Sequence, residues 1–289
     1  MPSTTSGWEH SHAVSDRVPD VSELLSAYDV QLRGHVPERL PREVTVERDG
    51  PLVRYVGLGN RGFVGYRDLE GLEGARLDEL IARQVHLFAE RGEPFEWKLH
   101  SHDRPPDLPR RLRLAGFVAE DEETVVIASV EAVAGRPLLP EGVALREVTD
   151  RNDLDRIAEF EQNAWGDGED RGWLAESLEA ERTADPEGLR IVVAEAGDAI
   201  VCAGWVRFEH GTDFATLWGG TTLPAWRGRG IYRALVAYRA GLAAQRGFRF
   251  VEVDASSASR PILERLGFSA VTTTTPYIWS PPTGVSGEH

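Results

Sequence analysis

Two stretches of the chain, about 150 residues apart, follow one plan. Residues 95–117 read FEWKLHSHDRPPDLPRRLRLAGF and residues 250–268 read FVEVDASSASRPILERLGF. Each is a strand, a polar break, a proline, a short helix with Leu and Arg, and a closing Gly-Phe. Each follows a long helical pattern. A repeat at this offset means two copies of one domain rather than a solenoid of short units. A length of 289 residues also sets a prior of two domains.

Periodicity supplies the elements around the repeats. Residues 24–32 read as a helix, and 43–47, 52–57 and 62–66 as strands. Residues 74–91 form an amphipathic helix with Leu77, Leu80, Ile81, Val85 and Phe88 on one face, stopped by Gly92 and Pro94. A strand at 95–99, a short helix at 107–115 and an extended segment at 117–130 follow. The second half opens with a strand at 143–148, a helix N-capped by Asp150 that runs to Trp165, and a helix at 172–183. A Gly197-Asp198 turn joins strands 191–195 and 200–208. A strand at 215–222, a helix at 229–246, a strand at 248–253, a short helix at 259–266 and a strand ending near Trp279 complete it. The expected organisation is α+β with mixed sheets: domains 19–133 and 143–280, joined by the Pro- and Gly-rich linker 134–142. Polar tails at 1–18, expected to be disordered, and at 281–289 flank them.

The chain carries 32 lysine and arginine residues against 47 aspartate and glutamate, a net charge of −15. Nucleic-acid affinity rests on basic surface meeting phosphates, so this balance argues against a nucleic-acid partner. Among the 32 basic residues only Lys98 is lysine. A single cysteine, Cys202, excludes an internal disulfide and a cysteine-cluster metal site. Its setting, IVCAG, is a continuous apolar strand in which cysteine packs; an acyl-cysteine intermediate is the sharper alternative. No apolar run approaches the ~18 residues of a membrane span. The N-terminus has neither the basic nor the apolar region of a signal peptide. These features lead us to expect a cytoplasmic protein without a membrane partner, monomeric or weakly homodimeric.

Residues 221–235, TTLPAWRGRGIYRAL, bear the chemistry. A strand enters, Pro224 ends it, and Arg227-Gly228-Arg229-Gly230 opens a helix. The first amides of a helix lack partners within it and sit at the positive end of its dipole, so they hold anions. Gly228 and Gly230 leave those amides bare, and Arg227 and Arg229 add charge. A solvated basic loop capping a helix is the plainer alternative.

With the strand and short helix that follow, this segment resembles the GNAT acetyltransferase superfamily. That family's acetyl-CoA signature is Arg/Gln-x-x-Gly-x-Gly/Ala after a strand ending in x-Pro-x-x. Residues 224–232 match it except that Tyr232 replaces the final small residue, and LERLGF at 263–268 resembles its later motif. The resemblance covers residues 143–279 and implies a GNAT acyl-CoA N-acyltransferase fold, here in two tandem copies. It implies acetyl-CoA as co-substrate and no metal. It further implies that the backbone of Arg227, Gly228, Arg229, Gly230, Ile231 and Tyr232 holds the pyrophosphate, and that Thr221, Thr222 and Leu223 pair with pantetheine. The N-terminal half resembles the same fold more faintly. Its helix 74–91 lacks the glycine-arginine pattern, and Glu70 and Glu73 put negative charge where phosphates would sit.

Two other motifs read as structural. GLGNRG at 57–62 matches a dinucleotide fingerprint by letter, but strand-like FVGY follows instead of a helix, so a hairpin turn is expected. His100, His102 and Asp103 have spacing compatible with a metal, yet no third ligand cluster accompanies them, so surface histidines are expected.

Acyl transfer to an amine requires a base for the amine, polarisation of the carbonyl and departure of the thiolate. The candidate bases are Glu209 and Asp213, with His210 beside them, and Asp254. By resemblance, a strand N–H near 218–220 polarises the carbonyl. The family's tyrosine acid matches Leu263 here, which puts such an acid in doubt; a thiol pKa of about 8.5 makes the thiolate a tolerable leaving group unaided. The acceptor pocket is expected under helices 150–165 and 172–183. There Trp165, Asp167, Glu169, Asp170 and Trp173, together with Trp218, offer aromatic faces and carboxylates to a cationic amine. An acidic solvated loop beside core tryptophans explains the same residues. The expected function is acetyl transfer from acetyl-CoA to an amine of a small cationic acceptor. The rival is a non-catalytic CoA-binding pseudoenzyme or scaffold. The N-terminal copy is expected to be structural.

Overall fold

The computed structural model describes residues 19–166, 168 and 170–282. Asp20 opens the first helix through a capping box, its carboxylate accepting from the Glu23 amide at 3.0 Å while the Glu23 carboxylate accepts from its own at 2.9 Å. The N-terminal half then runs Val21–Gln31 (α1), Thr45–Asp49 (β1), Leu52–Val56 (β2), Gly62–Gly65 (β3), Gly74–Arg91 (α2) and Phe95–His100 (β4). Leu108–Leu114 (α3), Val118–Ala119 (β5), Glu123–Ser129 (β6) and Val130–Val133 (α4) complete it. The C-terminal half runs Val143–Val148 (β7), Arg151–Trp165 (α5), Gly172–Ala184 (α6), Leu189–Ala196 (β8), Ala199–Phe208 (β9) and Phe214–Thr222 (β10). Ile231–Gln245 (α7), Phe250–Ala255 (β11), Arg260–Arg265 (α8) and Ser269–Trp279 (β12) follow. The order β1-β2-β3-α2-β4-α3-β6 repeats as β8-β9-β10-α7-β11-α8-β12, so the chain is α+β in two tandem copies.

The copies share one sheet. Its order is β1-β2-β3-β4-β12-β6-β11-β10-β9-β8-β7, twelve strands in all, with β5 pairing β12 off this path. The last strand of each copy is seated in the other. β6 pairs with β11, Ile127 opposite Glu252. β12 pairs with β4, Leu99 opposite Thr275. The two exchanged strands pair with each other at the centre. Each exchanged strand supplies backbone partners to the other copy, and the β6–β12 pairing joins the two copies into one sheet. The expected domains 19–133 and 143–280 follow chain order, and the exchange carries β6 and β12 across that division.

The periodic faces pack as their spacing requires. In the N-terminal half Phe88 of α2 stacks on Phe95 of β4, centroids 4.1 Å apart, beside fully buried Trp97. A Cβ at Gly62 would collide with the Phe88 ring, so the glycine that closes GLGNRG makes room for an aromatic in a β2–β3 hairpin. In the C-terminal half α7 covers one face of the sheet through Val236 and Ala240, and α5 and α6 cover the other through Leu154, Ile157 and Leu178. Helix α1 belongs to the first half by sequence, yet Leu24 and Tyr28 pack with Phe214 and Phe250 of the second.

A shared sheet predicts shared unfolding. Phe95→Ala removes a ring with no solvent exposure and should cost about 3–5 kcal/mol. Fluorescence and backbone probes should lose both halves in one transition whose Tm falls together. Two separated transitions, with the C-terminal one unmoved, would contradict the account.

Candidate active site

Strands β10 and β11 pair in parallel only from Phe214 opposite Phe250 to Thr216 opposite Glu252. Beyond that pair they part. On β10 the register against β9 shifts between Gly219 and Thr221, a bulge that frees backbone groups facing the gap. Arg239 of α7 secures it. Its fully buried guanidinium donates to the carbonyls of Trp218 at 2.7 Å and Trp205 at 2.9 Å. The helix that presents the anion loop is thereby tied to the bulged strand.

The loop ahead of α7 is shaped by two glycines. Gly230, the residue before α7, has φ 82°, and Gly228 has φ 75°, left-handed values that L side chains resist. No side chain among the described residues caps α7, so its leading amides remain available. Arg227 is pinned by its Nε donating to the Thr222 carbonyl at 3.0 Å. Tyr232 lies against the bulge: a Cβ at Gly220 would meet its ring.

A cavity of about 2830 Å³ joins this loop to the opposite face of the gap. Its floor carries Glu252 and Asp254 of β11, Glu123 of β6, and Glu96 and Lys98 of β4. Lys98 ion-pairs with Asp254. Glu252 is 5% exposed, yet its Oε1 has no hydrogen-bond partner among the described residues. Burial, then the neighbouring Asp254, pushes the Glu252 carboxyl well above its ordinary range. The same causes raise Glu123 to about 7. On the side of α5, buried Glu161 accepts from Thr221 Oγ1 at 2.8 Å and Trp165 Nε1 at 3.0 Å, and burial raises it too.

The structure distributes the expected residues unevenly. Thr221, Thr222, Arg227, Gly228, Gly230, Ile231 and Tyr232 line the cavity. Leu223 and Arg229 flank them, Arg229 lying over the Trp226 ring. Trp165 and Trp218 are half-exposed walls of the same cavity, and Arg207 lies over the Trp218 ring at 4.6 Å. Asp167 and Glu169 lie outside the described residues. Glu209 faces the cavity and accepts from Thr216 Oγ1 at 2.9 Å, while Trp218 Nε1 donates to that hydroxyl at 2.8 Å. Asp213 is turned elsewhere: its carboxylate takes Gln31 at 3.1 Å and Arg249 at 3.2 Å, a brace between α1 and β11. Sequence reasoning missed Glu252, although the alternation of FVEVDA puts it on the Asp254 face. It also missed the cavity residues of the first half.

The equivalent gap in the N-terminal half is narrower, a cavity of about 660 Å³ lined by residues 67–73 and 102–106. β3 and β4 pair as far as Val64 opposite Trp97. Beyond them the Asp103 carboxylate takes up part of the space, accepting from Tyr66 Oη at 2.6 Å, the His100 amide at 2.8 Å and Arg33 Nη2 at 2.5 Å. His100 and His102 are therefore not free surface groups: His100 Nε2 meets Tyr28 Oη at 3.0 Å, and His102 lies 3.0 Å from Arg33 Nη1. Burial and Arg33 push His100 well below its ordinary range, leaving it neutral.

Residues 154–268 match the model of the Acetyltransferase (GNAT) family. In fold the chain is similar to a GCN5-related N-acetyltransferase from Kribbella flavida, at 17% identity and a TM-score of 0.57, with 91% of this chain and 96% of that one covered. A GCN5-related N-acetyltransferase from Sphaerobacter thermophilus gives 17% identity and a TM-score of 0.59 over 83% of each chain. A tandem GNAT protein from the clavulanic acid biosynthesis pathway gives 15% identity and a TM-score of 0.60, over 91% of this chain and 95% of that one. No curated protein matches the chain in sequence. The C-terminal half thus carries a GNAT acetyltransferase domain, and the chain has the tandem GNAT fold. No helix among the described residues is long and apolar enough to cross a membrane.

The raised Glu123 carboxyl makes a prediction about stability. Its folded value of about 7 exceeds the unfolded 4.5, so ionisation opposes folding and stability is lost as pH rises between them. Glu123→Gln should therefore have a higher Tm than the parent at pH ~8, with the difference gone near pH ~4. An equal difference at both pH values would contradict the assignment.

Proposed function

We propose that this chain transfers an acetyl group from acetyl-CoA to an amine of a small cationic acceptor, by direct attack at a single site. The observation that carries the reading is the parting of β10 and β11, with an uncapped helix N-terminus on one side and a carboxyl-lined cleft on the other. The amides of residues 227–232 hold the pyrophosphate, and the strand at Thr221, Thr222 and Leu223 offers backbone groups to pantetheine. A bulge amide within 219–221 polarises the acyl carbonyl.

On the acceptor side, Glu252 takes the proton from the attacking ammonium. A carboxyl raised above its ordinary range is a stronger base once ionised than an ordinary one. The free amine nitrogen then bonds to the acyl carbon, the carbon–sulfur bond breaks and the sulfur leaves as thiolate; the nitrogen's second proton passes to water, and the thiolate takes a proton from water. Leu263, at the family's tyrosine position, is fully buried and donates no proton. Direct attack is favoured over an acyl-cysteine because burial raises the Cys202 thiol to about 11, leaving little thiolate at neutral pH. The cleft's carboxyls and the faces of Trp165 and Trp218 suit a cation. The N-terminal half acts as the acceptor-side wall: the loop at 57–61 reaches α6, where Ser177 Oγ donates to the Leu58 carbonyl at 3.2 Å.

The test is thiol release from acetyl-CoA against a panel of amines, amino sugars, amino acids and peptides. At least one cationic amine should support turnover. Glu252→Gln should lower kcat by about 100- to 10,000-fold while leaving CoA affinity unchanged. Gly230→Val should instead weaken CoA binding, with a Tm loss of only a few degrees, since the atom nearest its Cβ, the Leu138 carbonyl oxygen, is 4.0 Å away and the penalty is backbone strain. CoA binding without thiol release for any amine would favour the non-catalytic module.

A further inference from the structure

Lys98 is the only lysine of the chain. It stands on β4 in the N-terminal half, and its 14%-exposed side chain pairs with Asp254 of β11, although β12 and β6 lie between those strands. Around the pair are Glu96 of β4, Glu123 of β6, Glu252 of β11 and Tyr28 of α1. Glu209 faces Glu252 from the end of β9. His100 is neutral, and Arg61 is engaged by Glu96 at 3.6 Å and Glu120 at 3.1 Å. Arg33 is committed to Asp103. Lys98 thus pairs with one β11 carboxyl and acts electrostatically on the other, and both of those keep a buried oxygen, Glu252 Oε1 and Asp254 Oδ1, without a hydrogen-bond partner among the described residues.

We infer that Lys98, contributed by the N-terminal half, is a positioning residue of the C-terminal site: it anchors Asp254 and supplies the positive charge against which Glu252 ionises. The inference rests on the reading of Glu252 as the base. Glu252 and Asp254 lie two residues apart on one face of β11, so two carboxylates there repel unless a cation stands beside them. Burial alone would push the Lys98 ammonium down, and the surrounding carboxylates, Asp254 foremost, more than reverse it. The ammonium therefore stays charged, available as a fixed positive charge and not as a nucleophile. The first half would then set the protonation of the site in the second.

The test compares the pH dependence of kcat/KM for the best amine in the parent, Lys98→Met and Lys98→Arg. Removing the charge in Lys98→Met should move the acidic limb about 1 to 2 units to higher pH, and Lys98→Arg should recover most of that interval. A lower rate at every pH with the limb unmoved would mean that Lys98 merely braces the sheet, and would overturn the inference. Lysine-selective isotope labelling adds a readout that needs neither turnover nor a Lys98 variant, because the intact chain yields one lysine side-chain signal. That signal should show an inflection at the midpoint of the acidic limb, and the inflection should vanish in Glu252→Gln. A signal indifferent to Glu252→Gln would overturn the coupling. Full activity in Glu252→Gln would instead remove the base assignment, while the lysine signal would still decide whether the two groups interact.

Discussion

Everything in this molecule hangs on the exchange of two strands. β12 sits between β4 and β6, and β6 sits between β12 and β11, so each copy completes the hydrogen bonding of the other. The exchange makes the backbone pairing of each copy depend on the other and joins both into one sheet. Across that shared sheet Lys98 of β4 pairs with Asp254 of β11. The cleft is therefore a property of the pair of copies and not of the C-terminal half alone.

The two gaps show how one fold is kept wide in one place and narrow in another. In the C-terminal half, the bulge of β10 and the carbonyls held by Arg239 keep the strands apart, and glycines leave the facing helix end bare. In the N-terminal half the same space is narrowed by Asp103, clamped by Tyr66, Arg33 and the His100 amide. A carboxylate with satisfied donors is a durable obstruction, because removing it would strand a buried arginine. Under the proposed function this cluster, with Glu70 and Glu73 on the same cavity, disfavours CoA in the first copy.

The elements were legible because their patterns are local. The face of Leu77, Leu80, Ile81 and Phe88 and the stop at Gly92 give α2 as Gly74–Arg91, and the Gly197-Asp198 turn gives the β8–β9 hairpin. Strand partners were not legible, since nothing within GluThrValValIleAlaSer at 123–129 names β11 as its neighbour. The anion loop was readable from glycine and arginine spacing. Glu252 was not, because its neighbours Val251 and Val253 make the strand look like core. Lys98 appeared only as a compositional oddity, and Arg239 as one more helix arginine, although it lies four residues beyond buried Leu235 on the same face. Asp213 was offered as a base from its place at a turn; its turn faces α1 and Arg249.

The central claim is that two copies of one fold make one CoA site. Calorimetric titration of the full chain with CoA tests it most directly. The account predicts a stoichiometry of one CoA per chain, because the gap between β3 and β4 is narrowed by the Asp103 cluster and lined by Glu70 and Glu73. A stoichiometry of two would mean that this gap opens to ligand, and would contradict the account.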